Sequence, residues 1–197
     1  MRGPIVRDED IDWVERWQAG DETALTALVN KYRERVRAVA YRFLQNRTEA
    51  EDIAQETFIR LVQARDRYRP SAKFSSYLFT IANRLCLNAL RHRKRHPAQS
   101  LEAPVSADPE APARQWADPA AVPAAQVLEE EEQSLMVRRA VDRLPPDERM
   151  ALILDHWEDQ PLERIAEVLR KSIPAVKSLL FRARAKLRIS LAAYVQK

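Results

Sequence analysis

The chain has 197 residues, room for one or two small domains, and 46 % of them are hydrophobic, which excludes a wholly disordered chain. Two glycines speak against a Gly-rich phosphate loop, and one cysteine, Cys86, excludes an internal disulfide and a cysteine-based metal site. The formal net charge of +4 is too small to identify a partner until its distribution along the chain is known.

His92, His96 and His156 have no metal-ligand spacing, so neither a metal nor another cofactor is expected. The charged N-terminal residues carry no apolar run, and no run of about 18 apolar residues occurs anywhere. A cytoplasmic protein without membrane insertion is the expectation.

Residues 11–95 read as all helix. After the break at Gly20 and Asp21, residues Leu25, Leu28, Val29, Tyr32, Val36, Val39 and Phe43 recur at three- and four-residue steps, the stripe of one long helix that Asp21 is placed to cap. A second helix from about Thr48 is predicted to turn Ala54, Thr57, Phe58, Leu61 and Val62 inward. A loop at 66–73 contains Pro70. A third long helix over 74–95 follows, with Leu78, Ile81, Ala82, Leu85 and Ala89 inward. Residues 97–126 form an Ala/Pro-rich linker without apolar periodicity and with an acidic lean. The acidic run Glu129 to Glu132 opens the next helix. Leu135, Val137, Ala140, Val141 and Leu144 then mark its apolar side, Pro145 and Pro146 stop it, and Met150, Ala151, Ile153, Leu154 and Trp157 mark another.

Two amphipathic helices, 162–169 and 173–187, are joined by Arg170, Lys171 and Ser172, a helix-turn-helix arrangement. Ser172 can cap the second helix, and Pro174 is tolerated in its first turn. Ile173, Val176, Leu180, Ala183 and Leu187 share a face and should be buried. Lys177, Phe181, Arg184 and Arg188 share another, flanked by Ser178 and Arg182, with no acid between Ile173 and Arg188. Such a helix fits a major groove, where Lys and Arg meet phosphates or guanine edges and Phe meets thymine methyls. By pattern alone it also fits a solvated basic helix with Phe181 in the core.

Two further segments carry chemistry. Asp52, Gln55 and Glu56 stand at i, i+3 and i+4 on the face opposite the apolar one. This face suits a basic protein partner and repels DNA phosphates, or it is simply an exposed acidic surface. Residues 74–84 mix aromatics (Phe74, Tyr77, Phe79) with small hydroxyls and amides, and a basic run, Arg91 to Arg95, follows. Aromatics beside cations can stack bases of single-stranded DNA. Alternatively the aromatics are core, as expected in part for Phe74 and Phe79, which leaves Tyr77 as the better DNA contact.

Taken together, these segments resemble the extracytoplasmic-function sigma factors, the smallest members of the sigma-70 group. Residues 25–95 resemble the family's region 2 and 135–193 its region 4. Glu51-Asp-Ile-Ala-Gln-Glu-Thr-Phe58 is similar to the polymerase-clamp motif, and 74–84 to the promoter-melting segment. Leu144-Pro-Pro-Asp-Glu-Arg149, Ile165-Ala-Glu-Val-Leu169 and Val176-Lys-Ser-Leu-Leu-Phe-Arg-Ala-Arg184 are similar to the −35-reading helix-turn-helix.

The resemblance implies an all-α fold of two small helical domains, 11–96 and 127–197, joined by the flexible linker 97–126. It also implies a function in binding rather than bond-making: the chain docks on core RNA polymerase, reads the −35 and −10 promoter elements and promotes melting. Glu49, Asp52, Gln55 and Glu56 would meet the clamp of the largest subunit, and the C-terminal domain the flap of the second largest. The loop 66–73 would grip a flipped −10 base, a step that costs a few kcal/mol of unstacking. Lys73, Ser75, Tyr77, Asn83, Arg84, Asn88 and Arg91 would lie near the melted strand. Ser172, Lys177, Ser178, Phe181, Arg182 and Arg184 would read the −35 duplex. The linker would thread toward the RNA exit path, and an anti-sigma factor is an implied partner.

The chain departs from the family pattern at several positions. Tyr77 stands where Trp is frequent, and Arg84 stands where Asn is, with Asn83 just before it, so either position could face DNA. Arg170 and Lys171 stand where Gly and an apolar residue are usual. Ala175 replaces Thr and Leu179 replaces Arg, which removes two polar contacts. The rival reading is a stand-alone helix-turn-helix regulator. No enzyme is expected, because no nucleophile–His arrangement and no paired carboxylates with a basic partner occur.

Overall fold

A computed structural model describes residues 10–69, 73–96 and 124–195, with 124–132 and 193–195 described as backbone only. Among the described residues there are eight helices and no strand. The expected linker lies outside the described residues at 97–123, as do Pro70 and the first nine residues.

Four helices build the N-terminal half: α1 (Ile11–Gln18), α2 (Glu22–Leu44), α3 (Arg47–Gln63) and α4 (Phe74–Arg95). Helix α1 buries Val14 and Trp17, three residues apart on one side, against α2. Gly20, at φ 108°, turns the chain into α2 through a conformation that side-chain-bearing residues rarely adopt. Asp21 then caps α2, accepting from the Thr23 backbone N–H at 2.9 Å. The α2 stripe is buried as its spacing predicts, from Leu28 through Tyr32, Val36 and Val39 to Phe43. Gln45 ends the helix in the left-handed region at φ 53°, and Asn46 caps α3 by accepting from the Glu49 N–H at 3.0 Å. Helix α4 begins and ends where the apolar period places it, with Leu78, Ile81, Ala82 and Leu85 buried. One inward expectation fails on α3, where Val62 is 46 % exposed. It lies one residue beyond the buried Leu61, about 100° around the helix and past the edge of the buried arc.

Asp21 gives the fold a pH handle. Hydrogen bonds from Thr23 and Arg16 hold its carboxyl at about 2, below the ordinary value of 3.8. A depressed carboxyl contributes stability above its unfolded value and loses it as protons bind in the fold. The urea midpoint of the wild type should therefore drop across the window from pH 3.8 to about 2 more than that of an Asp21→Asn chain, which keeps a cap acceptor without the charge.

The C-terminal half holds α5 (Ala124–Asp142), α6 (Pro146–His156), α7 (Leu162–Leu169) and α8 (Ile173–Val195). Helix α5 starts at Ala124, three residues inside the stretch expected to be linker. Pro146 occupies the first turn of α6, where its missing N–H costs nothing. The turn between α7 and α8 is made by Arg170 at φ 55°, with the Lys171 N–H bonded to the Ala166 carbonyl at 3.0 Å. The usual glycine geometry is thus kept by an arginine, at a cost of about 1 kcal/mol.

The two halves pack on one another, α4 against α7 and α2 against α6 and α5. Met150, Ile153, Leu154, Ile165 and Val168 join the same apolar cluster as the N-terminal core. Polar contacts cross the boundary as well. Arg35 Nε donates to Glu158 Oε2 at 2.9 Å, Arg149 Nη1 donates to the Phe43 carbonyl at 2.6 Å, and the Arg42 guanidinium lies 5.5 Å from the Trp157 ring. Burial pushes the Glu158 carboxyl up, against the pull of Arg35 and Arg42.

Candidate nucleic-acid and polymerase interfaces

The acidic face of α3 is less uniform than its sequence suggests. Asp52 and Gln55 are exposed. Glu56 is tied to Arg60 at 2.7 Å and Glu49 to Arg93 at 2.9 Å. Glu51 is paired with Arg33 at 2.7 Å, which holds its carboxyl below the usual range. Beside Gln55 the surface turns apolar. Ile59 and the outward-turned Val62 line a groove of about 480 Å³ with Val29, Ala54 and Phe58. Gln55, Ile59 and Val62 stand at i, i+4 and i+7, so one helix edge carries both characters. Sequence reasoning missed this strip because it assigned Val62 to the core.

On α4, Tyr77, Arg84, Asn88 and Arg91 fall on one accessible side, below the exposed Lys73. Arg91 Nη1 donates to Asn88 Oδ1 at 3.0 Å, which fixes the two side chains together. Ser75 and Asn83 turn the other way and are 7 % and 6 % exposed. Of the two candidates for a DNA-facing group, Arg84 is therefore the accessible one. Asn83 Oδ1 is buried with no hydrogen-bond partner. Phe74 and Phe79 are core.

Above Tyr77 sits Tyr68, its ring 4.4 Å from that of Tyr77 and 6.2 Å from that of Phe74. Tyr68 falls inside the expected base-gripping loop but was not singled out, although an aromatic between Arg67 and Arg69 was a readable signal. A cleft of about 520 Å³ opens here, lined by Arg67, Tyr68, Arg69 and Tyr77 from the N-terminal half and by Glu167 of α7 and Arg170 of the turn after it. Burial raises the Tyr77 phenol above its ordinary value, opposed by Arg67 and Arg84, so it stays a neutral donor.

The outer face of α8 forms as its spacing predicts. Lys177, Phe181, Arg184 and Arg188 line one groove of about 580 Å³. Phe181 is 75 % exposed and not core. Val176, Leu180 and Ala183 are buried, Ile173 and Leu187 half-buried, and Leu179 widens the inward arc. Ser172 Oγ accepts from the Ala175 N–H at 3.4 Å, and Ser178 Oγ donates to the Pro174 carbonyl at 3.0 Å. The basic side chains are not equivalent. Arg182 and Lys186 share the buried Glu148 carboxylate at 3.1 and 2.7 Å, and Arg184 reaches Asp155 at 2.6 Å. Lys177, more than a turn closer to the start of α8, is exposed.

Comparison with known proteins decides the family. The Sigma-70 region 2 family matches residues 28–96, and the Sigma-70, region 4 family matches 134–187, together more than half of the chain. The RNA polymerase sigma-H factor of Pseudomonas aeruginosa is 32 % identical over 190 residues, 91 % of this chain and 92 % of that one. The chain is an extracytoplasmic-function sigma factor of the sigma-70 family. The ECF sigma factor SigW of Bacillus subtilis is 30 % identical over 183 residues, 90 % of this sigma factor and 94 % of that one. Among solved structures, CnrH bound to the cytosolic domain of CnrY shares the fold with a TM-score of 0.66 at 24 % identity, covering 94 % of this sigma factor and 98 % of that chain.

A sigma factor is an initiation subunit, so the accessible faces just described are those on which promoter and polymerase contacts must be sought. Lys177, Arg184 and Arg188 give the outer face of α8 a basic character, whereas the α3 strip carries carboxylate, amide and methyl groups. These opposed chemistries suit contact surfaces of opposite character. The stand-alone regulator reading accounts only for the C-terminal half and gives way to the family that spans both.

Proposed function

We propose that this sigma factor engages its partners through three separate surfaces. Asp52 and Gln55, with Glu49 and Glu56 at their flanks, dock on the clamp of the largest polymerase subunit. Lys73, Tyr77, Arg84, Asn88 and Arg91 hold the melted −10 strand, with the buried Tyr68 backing the Tyr77 ring and with Ser75 and Asn83 shaping the helix from within. Ser172, Lys177, Ser178, Phe181, Arg182 and Arg184 read the −35 duplex, and the C-terminal domain meets the flap of the second-largest subunit. An anti-sigma factor, acting in the cytoplasm, covers one or more of these faces. The observation that carries the reading is the exposed strip Asp52–Gln55–Ile59–Val62, a mixed acidic and apolar edge that no nucleic acid would choose.

Tethering two modest DNA readers on one polymerase raises their joint affinity through effective concentration, so neither has to be strong alone. Run-off transcription with sigma-free core polymerase and a library of promoter fragments tests the assignment. The wild type should give sequence-specific transcripts, and an Asp52→Arg/Glu56→Arg chain should give almost none, because charge reversal at an interface costs several kcal/mol. Undiminished transcription by that variant would remove the clamp from the α3 face.

A further inference from the structure

Helix α1 lies outside residues 28–96, the segment matched by the region 2 family. It nevertheless reaches the chain that carries Tyr68. Gln18 Nε2, at the last position of α1, donates to the Arg65 carbonyl at 2.7 Å and to the Tyr68 carbonyl at 2.9 Å. Both acceptors are carbonyls, so the amide can only present its NH2 there. The Tyr68 carbonyl also accepts from Arg69 Nη1 at 3.0 Å, and the same guanidinium nitrogen donates to the Asp66 carbonyl at 2.8 Å. One amide therefore sets the path of the turn that follows α3 and, through a shared oxygen, the pose of the Arg69 guanidinium. Neighbouring contacts clasp the same turn. The Arg65 guanidinium lies 6.0 Å from the Trp17 ring and reaches Glu22 at 3.5 Å.

We infer that Gln18 is a positioning residue for −10 recognition: α1 splints the turn bearing Tyr68 and Arg69, so that the buried Tyr68 backs Tyr77 and the pair is preorganised for the melted strand. The inference rests on the assignment of these residues to the −10 strand. The turn has no sheet or long helix to hold its carbonyls, and a stacking platform discriminates between bases only while its walls stay fixed. Ordering the turn in advance spares the bound complex that entropy.

The test uses the full-length chain assembled with sigma-free core polymerase. The probe is a pool of single-stranded oligonucleotides randomised over the −10 window, and the bound fraction is sequenced. Gln18→Ala removes both donors. Gln18→Glu keeps the shape but turns oxygens toward two carbonyls. Both variants should bind core polymerase as the wild type does, yet lose roughly tenfold in discrimination between preferred and random −10 sequences. Amide exchange in Gln18→Ala should speed up at Arg67 and Tyr68 while α2 and α4 stay protected.

Wild-type base preference in both variants, with preference lost in Tyr68→Ala, would overturn the role of Gln18 and leave the −10 assignment standing. Preference retained in Tyr68→Ala as well would overturn the −10 assignment, and this inference with it. Protection lost throughout the N-terminal half in both variants would make α1 a staple of the fold and not a splint, which also overturns the inference.

Discussion

An Arg149→Ala chain should lose about 3 to 5 kcal/mol of stability and melt about 10 °C lower than the wild type. Arg149 sits at the end of the Leu-Pro-Pro-Asp-Glu-Arg run and is buried. Its guanidinium serves acceptors from both halves. Nη1 reaches the Phe43 carbonyl at 2.6 Å and Asp142 Oδ1 at 2.8 Å; Nη2 reaches the Leu144 carbonyl at 3.2 Å and also the Asp142 carbonyl. The planar group lies 5.3 Å from the Phe43 ring. Desolvation pulls its pKa down, and the Asp142 carboxylate opposes that pull. Alanine would leave three carbonyls without their donor and open a cavity beneath Phe43. Lysine keeps a charge but not the fork, and should recover only part of the loss. Calorimetry checks both points. Because Phe43 and Arg149 belong to different halves, the variant should also separate their unfolding into two transitions. An unchanged single transition would refute the bridging role.

A Lys177→Ala/Phe181→Ala chain should bind −35 duplex roughly a hundredfold more weakly in holoenzyme, while its capture of single-stranded −10 oligonucleotides is untouched. A good contact to a base or phosphate contributes about 1 to 3 kcal/mol, and these two side chains are exposed members of the α8 face that, unlike Arg182 and Arg184, are not engaged by an acid. The singles should separate by salt. Loss of Lys177 removes one released counterion and flattens the log–log salt slope by about 0.9, whereas loss of Phe181 leaves the slope alone and relaxes preference at one base pair. Arg182→Ala is a different experiment. It strips a partner from the buried Glu148 carboxylate, which Lys186 alone would then neutralise, so part of its effect is on the fold. Equal salt slopes for Lys177→Ala and the wild type would show that Lys177 touches no phosphate.

Where helices begin and end was legible because caps and prolines are local. Asp21 as cap of α2 follows from a few adjacent residues, and the α4 limits from its apolar period; Pro145 and Pro146 were expected to stop a helix, and Pro146 also sits in the first turn of the next. Which residues lie at the edge of a buried arc was not. Val62 and Leu179 stand one position from buried neighbours, and the arc width depends on what packs across from it: too little to cover Val62, enough to cover Leu179. The family motifs located the surfaces, and spacing put Lys177 and Phe181 on one face. The sequence could not show that Arg182 and Arg184 are already engaged by acids 34 and 29 residues away. Nor could it show that Arg149 bonds a carbonyl 106 residues back. Contacts of that range depend on the packing of whole helices and leave no periodic trace.

With the −10 strand assigned to the Tyr68–Tyr77 cleft, the packing of α7 beside it would make promoter affinity a product of two constants. Under the proposed −10 assignment, Glu167 and Arg170 line the same cleft that the strand would enter, so chains that have parted the two halves would bind the −10 strand best. Apparent affinity is then the intrinsic affinity multiplied by the parted fraction. Substitutions at Glu158, Trp157 or Arg42, none of them on a proposed contact face, would shift that fraction and rescale binding to every promoter by one common factor. The order of preference among promoters would stay as it was. Strength and selectivity are in this way set by different residues, and could be tuned separately in the same chain.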